Sequence, residues 1–164
     1  DVWINCAGVV APALLIHSEP AAVHDQLETN LHGPIRCTQA VLPSMLKRRR
    51  GTIINVSSVA AVRPSRGQAV YAATKGGLEA FTRAVAVEYA KKGIRALCVR
   101  PGAIDTDMLT ATRQLAGDEL LARIPQRRIA TPDEIAQLVT MLASDAAAYV
   151  TGSVVTCDGG YSVA

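Results

Sequence analysis

The chain has 164 residues, which is enough for one domain with a hydrophobic core. Hydrophobic residues make up 49% and charged residues 19%, and this composition excludes an intrinsically disordered chain. The net charge of +3 does not by itself indicate a nucleic-acid-binding protein. No apolar run approaches the roughly 18 residues of a membrane-spanning helix, so we do not expect a membrane as a partner. From the modest net charge, we do not expect nucleic acid as a partner either.

The apolar residues from Val2 to Asn5 predict a short strand at the start of the chain. Cys6, Ala7 and Gly8 follow it, and their small side chains suit a place where a ligand approaches the backbone closely. An ordinary turn from strand to loop is the alternative interpretation.

A long helix with an interruption is predicted for residues 19–49, after an N-terminal signal at Ser18 and Pro20. Asn30 falls inside it, beside a periodic apolar face. A buried asparagine in a helix is costly unless it is hydrogen-bonded. Asn30 therefore either bonds the local backbone and bends the helix, or has a function.

Four basic residues, 47–50, end this helix. Cations complement the negative end of a helix dipole and stay solvated there, which explains them without any function. A docking patch for an acidic protein is the alternative.

A β-branched run at residues 51–56 predicts a buried strand of the parallel type, and Ser58 lies just beyond its end. The next helix is predicted for residues 68–92, and it contains Tyr71 and Lys75. Residues four apart on a helix lie one turn above each other on the same face.

Tyr71, Lys75 and Ser58 have the chemistry of a proton-transfer site. A phenol has a pKa of about 10, too high for a base at neutral pH, and a neighbouring ammonium would lower it. A tyrosine tuned in this way can exchange a proton with an alcohol or a carbonyl. Ser58 could hydrogen-bond the same oxygen. A surface pair on an amphipathic helix is the simpler explanation of Tyr71 and Lys75 taken alone.

Two more strands are predicted, at residues 94–99 and 152–157, and the first of them leads into Pro101 and Gly102. The weakly periodic residues 105–130 are typical of a mobile lid. A capping box at Thr131 and Glu134 then opens a further helix.

Strand and helix therefore alternate four times, which predicts an α/β fold with a parallel sheet. Ligands of such sheets bind outside the carboxyl ends of the strands. The polar and glycine-rich segments at Asn5, Ser58 and Gly102 all follow strands, so we expect them to meet at one edge. A single domain covering residues 1–164 is expected.

Five motifs occur in order along the chain: N-C-A-G from Asn5, N-L-H-G from Asn30, N-V-S-S ending at Ser58, Y-A-A-T-K from Tyr71 and P-G-A-I-D-T from Pro101. Together they resemble the short-chain dehydrogenase/reductase family, over nearly the whole chain. The resemblance implies a Rossmann-like, doubly wound parallel sheet with helices on both faces.

The resemblance also implies hydride transfer between NADP or NAD, with NADP favoured, and a carbonyl or secondary alcohol. Tyr71 would give its proton to the carbonyl oxygen and Ser58 would hold that oxygen. Lys75 would lower the pKa of Tyr71 and bind the nicotinamide ribose, while Asn30 would hold a water that relays protons towards Lys75. The implied cofactor-binding residues are Asn5, Cys6, Ala7, Gly8, Tyr71, Lys75, Pro101, Gly102, Ile104 and Thr106.

Within the family, the I-D-T-D-M segment and the basic residues Arg49 and Lys92 look like 3-oxoacyl-[acyl-carrier-protein] reductases of fatty acid biosynthesis. The substrate would then be linked to an acyl carrier protein. A small free carbonyl compound of a sugar, steroid or xenobiotic reductase is the alternative, and a non-catalytic protein that kept the fold is a third possibility. The family also implies a homodimer or homotetramer that assembles through the helix carrying Tyr71, although the small residues of that helix could instead pack within one subunit.

None of the 12 glycines forms the glycine-rich turn that normally follows the first strand of a dinucleotide-binding fold. We therefore expect the chain to be the C-terminal part of such a fold, inactive by itself. The four cysteines show no metal-like spacing, so no metal site is predicted. We interpret them as small buried hydrophobic residues of a cytoplasmic, reducing compartment.

Overall fold

The computed structural model describes residues 1–109 and 119–164. Four parallel strands form one sheet in the order β1, β2, β3, β4. Their bounds are Val2–Asn5 for β1, Gly51–Val56 for β2, Ile94–Pro101 for β3 and Val154–Cys157 for β4. The predicted α/β fold with a parallel sheet is confirmed.

Five α-helices are described: α1 (Pro20–Leu27), α2 (Gly33–Arg48), α3 (Ala69–Tyr89), α4 (Glu119–Ala122) and α5 (Pro132–Ala143). The predicted interruption of the first long helix is a π-helical turn, Glu28–His32, between α1 and α2. Such turns widen the helix by one residue and are frequent at functional sites. Asn30 lies in the middle of this turn.

Helices cover both faces of the sheet, as predicted. Ile53 and Ile54 are adjacent in β2, both fully buried, and they point to opposite faces because successive strand residues alternate. Ile53 belongs to a core cluster with Leu42 of α2 and Val85 of α3. Ile54 belongs to a second cluster with Leu142 of α5.

The capping box that opens α5 is also confirmed. The Thr131 hydroxyl accepts a hydrogen bond from the Glu134 amide at 3.3 Å, and the Glu134 carboxylate accepts one from the Thr131 amide at 2.9 Å. The predicted lid, residues 105–130, falls partly outside the described residues. Its described ends meet, because Ile104 forms a parallel bridge with Ala130.

At the amino ends of β2 and β3, two connections meet. Arg49 adopts a left-handed conformation with φ of 51° at the end of α2, and its Nη2 donates to the Lys91 carbonyl at 3.2 Å. Gly93, with φ of 79°, passes so close to the Arg49 carbonyl that a side chain there would collide with it. Arg49 and Lys92 therefore lie near the same rim of the sheet.

Within the described residues, no helix is long and apolar enough to cross a membrane.

Candidate active site

A cleft of about 530 Å³ lies at the carboxyl ends of the strands. Its walls come from the segments that follow β1, β2 and β3, together with the first turns of α3. Ser58, Tyr71 and Lys75 all line it, so the structure brings together the three residues predicted for proton transfer. Among the described residues, no cluster of three or more His, Cys, Asp or Glu is placed to hold a metal ion.

Ser58 is positioned by its neighbour Ser57. The buried Ser57 hydroxyl donates to the Lys75 carbonyl at 3.2 Å and to Oε1 of Glu79 at 2.9 Å, which ties the end of β2 to α3. The Ser58 hydroxyl accepts a hydrogen bond from the Ala60 amide at 3.2 Å, where a short 3₁₀ turn begins. The serine therefore has a defined place beside Tyr71.

Tyr71 and Lys75 are both buried, with only 9% and 3% of their surfaces exposed. The Lys75 amine donates to the Val56 carbonyl at 2.9 Å and lies 5.6 Å from the centre of the Tyr71 ring. Burial lowers the pKa of Lys75, because an ammonium loses hydration in the interior.

The predicted lowering of the Tyr71 pKa by Lys75 is corrected by this geometry. Burial raises the pKa of Tyr71, and a hydrogen bond with Ser58 offsets part of that rise. Lys75 is not among the groups that shift it, since its amine lies over the ring and is directed to the Val56 carbonyl. At neutral pH the phenol of this structure therefore keeps its proton.

Asn30 is fully buried behind the cleft and does not line it. Its Oδ1 accepts from the Val9 amide and its Nδ2 donates to the Val9 carbonyl, both at 2.8 Å. Nδ2 also donates to the Thr74 hydroxyl at 3.3 Å. Asn30 thus bonds a remote segment of backbone instead of its own helix, and it fixes the loop after β1 against α3.

Gly8 lies between Asn30 and Lys75. A Cβ atom at Gly8 would be 3.3 Å from the Lys75 amine and 3.5 Å from Oδ1 of Asn30. The bare backbone therefore leaves room for the amine at the wall of the cleft. Cys6 also lines the cleft and is exposed, and Cys37 and Cys157 are only half-buried, so the prediction of four buried cysteines is confirmed for Cys98 alone.

Asn5 has a different environment from the rest of the predicted cofactor-binding set. Its Oδ1 accepts from Nε1 of Trp3 at 2.8 Å, and its Nδ2 donates to Oδ1 of Asn55 at 2.7 Å. Asn55 in turn donates to the Thr82 hydroxyl at 2.8 Å. The Asn5 side chain therefore joins β1 to β2 and α3, and neither Asn5 nor Ala7 lines the cleft.

The predicted residues at and beyond the end of β3 do line the cleft, namely Pro101, Gly102, Ile104 and Thr106. A Cβ atom at Gly102 would lie 2.7 Å from Cα of Asp158, so the turn after β4 requires glycine there. The Thr106 hydroxyl donates to the Ile104 carbonyl at 3.4 Å.

An ion pair between the half-buried Arg100 and the buried Glu79 was missed by sequence reasoning. Arg100 donates from Nε and Nη2 to the two carboxylate oxygens of Glu79, at 2.8 and 2.6 Å. This bidentate pair joins β3 to α3, and the Glu79 carboxylate also receives the Ser57 hydrogen bond. The spacing of Tyr71, Lys75 and Glu79, each four residues from the last, was the available signal.

Three arginines of the cleft wall were also missed: Arg63, Arg66 and Arg123. The first two lie in the stretch between Ser58 and Tyr71. No motif marks them, and only their place in the folded chain distinguishes them from surface arginines.

Known proteins resemble this chain over its whole length. The family model described as "Enoyl-(Acyl carrier protein) reductase" matches residues 1–162. The 3-oxoacyl-[acyl-carrier-protein] reductase of Thermotoga maritima is 41% identical over 160 residues, or 98% of this chain. The Escherichia coli protein of the same name is 41% identical over 163 residues. The chain spans 65% of the Thermotoga maritima relative and 66% of the Escherichia coli one.

Solved structures give the same result. A gluconate 5-dehydrogenase from Burkholderia cenocepacia, in complex with NADP and tartrate, superposes with a TM-score of 0.97 at 34% identity. That match covers 100% of this chain and 65% of the other. Together with the ordered motifs and the cleft at the carboxyl edge of the sheet, these similarities establish that the chain belongs to the short-chain dehydrogenase/reductase family.

Proposed function

We propose that the protein containing this chain is an NAD(P)-dependent oxidoreductase that interconverts a carbonyl and a secondary alcohol, with a 3-oxoacyl group on an acyl carrier protein as its substrate. The convergence of Ser58, Tyr71 and Lys75 on one cleft carries the proposal. The names of the curated relatives support the choice of substrate.

The bound nicotinamide supplies the hydride, and the protein supplies position and a proton. Burial keeps the Tyr71 phenol protonated, so Tyr71 would donate its proton to the carbonyl oxygen of the substrate during reduction. Ser58 holds that oxygen through a hydrogen bond. The hydrogen bond with Ser58 lowers the pKa of Tyr71 and so stabilises the phenolate that remains, while Lys75, one turn away on α3, would bind the nicotinamide ribose.

The walls of the cleft fit a nicotinamide cofactor. Gly8 and Gly102 both line it and present backbone without side chains, and the buried Lys75 amine supplies a cationic donor. Cys6, Ile104 and Thr106 complete this surface. NADP is favoured over NAD, since two solved relatives, both gluconate 5-dehydrogenases, hold NADP.

Asn30 has a positioning role in this proposal, because it reaches the cleft only through the Val9 backbone that it holds. A water bound near it could relay protons towards Lys75, as the family resemblance implies.

We further propose a cytoplasmic homodimer or homotetramer that assembles through α3. Ala73, Ala80 and Val87 of that helix are exposed, which leaves a small-residue and apolar surface for a second subunit.

Turnover by the protein expressed from its complete reading frame tests the function. We expect NADPH oxidation with a 3-oxoacyl-[acyl-carrier-protein] substrate, and none in the Tyr71→Phe variant. NADP reduction with gluconate, but no turnover of the acyl substrate, would favour the sugar-dehydrogenase alternative. Absence of any cofactor-dependent turnover, despite normal folding, would support a non-catalytic protein.

A further inference from the structure

The cleft is strongly positive. Four cationic side chains line it, Lys75, Arg63, Arg66 and Arg123, and none of its described lining residues is acidic. Lys75 already has a place beside Tyr71 in the proposed function. Arg63 and Arg66 have no place in it, and a positive potential at a cleft attracts anionic ligands.

Arg63 is held rigidly at the wall of the cleft. Its Nη1 donates to the Tyr161 carbonyl, and its guanidinium carbon lies 4.7 Å from the centre of the Tyr161 ring. The ring is buried, so this contact fixes the plane of the guanidinium. One hydrogen bond uses one of five N–H donors, which leaves a preorganised fork with donors for a ligand.

Arg66 lies on an ordered turn. The Gln68 amide donates to the Ser65 carbonyl at 3.2 Å, and the Gln68 side chain accepts from the Ser65 amide at 2.9 Å. The Gly67 carbonyl accepts from the Ala13 amide at 3.0 Å, which pins the turn to the loop after β1. Arg66 itself is exposed, so its charge faces the mouth of the cleft.

Both arginines border the substrate side of the cleft. Their connection begins at Ser58 and ends at Tyr71, the two residues that handle the carbonyl oxygen in the proposed function. The surface proposed for the cofactor comes instead from the segments after β1 and β3. A negative charge opposite Arg63 and Arg66 would therefore belong to the carbonyl substrate.

We propose that Arg63 and Arg66 bind an anionic group, a carboxylate or a phosphate, carried by the carbonyl substrate. The proposal rests on the proposed function and extends it to the substrate's charge. Guanidinium forks match the geometry of both anions. The anion has two possible sources: the phosphate of a carrier's phosphopantetheine arm, or the carboxylate of a free oxo acid.

Two matched substrate pairs separate these sources. One pair is the 3-oxobutyryl thioesters of phosphopantetheine and of pantetheine, and the other is acetoacetate and its ethyl ester. In each pair only one member carries the anion. We expect Arg66→Gln to lower kcat/KM about tenfold for the charged member of one pair, and less than twofold for its neutral partner. The responding pair identifies the source.

Controls address folding and general charge. Arg36→Gln makes the same chemical change at an exposed position of α2 that does not line the cleft, and should leave all four rates unchanged. Arg63→Lys keeps the positive charge but loses the forked guanidinium. It should lower kcat/KM for the charged substrate while the melting temperature of the protein stays unchanged. Equal effects of Arg66→Gln on both members of each pair would overturn the proposal.

Calorimetric binding to the NADP-loaded protein separates this proposal from the proposed function. Binding of acetoacetate or phosphopantetheine that depends on Arg66, without turnover of any substrate, would retain the anion site and reject the function. Turnover that is independent of Arg66 would retain the function and reject the anion site. Neither binding nor turnover would reject both.

Discussion

The two ends of the parallel sheet differ in the exposure of their basic side chains. At the carboxyl end, Lys75 is buried and bonded to a backbone carbonyl, and burial shifts its pKa. At the amino end, Arg49 and Lys92 are exposed, and Arg49 touches only the neighbouring turn. A buried charge responds to its surroundings, whereas an exposed charge is solvated and screened by salt.

The difference teaches where chemistry can occur. An acid or a base needs a pKa that its environment controls, and the carboxyl end supplies that environment for Tyr71 and Lys75. The amino end can at most steer a charged partner towards the protein. Substitutions at the two ends should therefore differ in kind as well as in size.

The largest effect is expected for Tyr71→Phe, measured as kcat of the full-length protein. Loss of the proton donor should reduce turnover about 10²- to 10⁴-fold. The free energy of unfolding should fall by only about 1 kcal/mol, since one hydrogen bond with Ser58 is lost. A variant that keeps most of its activity would contradict the acid role of Tyr71.

Lys75→Met should weaken cofactor binding and reduce turnover, whereas the matched change Lys92→Met at the other end should do neither. Titration of the cofactor, followed by fluorescence, measures this directly. If Lys75→Met leaves the cofactor affinity and the pH dependence of turnover unchanged, Lys75 has only a structural role.

The same variant tests how the free energy of unfolding depends on pH. The folded-state pKa of Lys75 lies below its ordinary value of 10.5, so the unfolded chain binds more protons as pH approaches 10.5. The free energy of unfolding of the wild type should therefore rise with pH in that window relative to Lys75→Met. Denaturant unfolding at a series of pH values measures it, and parallel curves for the two proteins would refute the buried-ammonium assignment.

Asn30 and Asn5 are both buried, and we expect their substitution to affect stability similarly and activity differently. Asn30→Ala should lower both stability, by about 1–3 kcal/mol, and activity, because the Val9 backbone beside the cleft loses both of its partners. Asn5→Ala should destabilise by a similar amount and leave kcat nearly unchanged, because the Asn5 side chain bonds Trp3 and Asn55 of neighbouring strands and does not line the cleft. Equal losses of kcat in the two variants would show that stability alone controls activity.

The smallest effect on chemistry is expected at the amino end. Replacing Arg49 and Lys92 with Glu should leave kcat/KM for a small free ketone unchanged. With an acyl-carrier-protein substrate, kcat/KM and its sensitivity to salt should both fall, since an acidic carrier would be steered by these charges. Equal effects on both substrates, or none on either, would reject carrier docking at this rim.

Local sequence was sufficient for the elements and for the centre of the site. Alternating apolar runs and helix caps are determined within a few residues, so the four strands and the described helices other than α4 were predicted close to their observed bounds. The spacing of Tyr71 and Lys75 needs only a helix, and Ser58 needs only the end of a strand. Parallel strands then bring these ends to one edge, which explains why this part of the site was predictable.

Tertiary structure decided the partners of the buried polar groups. Asn30 and Val9 are 21 residues apart, and Arg63 and Tyr161 are 98 apart, so no local pattern could pair them. The direction of the Tyr71 pKa shift was decided in the same way, because desolvation depends on everything packed around the phenol and not on the neighbouring lysine alone. Sequence determined which groups are present at the edge of the sheet, and packing determined the environment in which they must act.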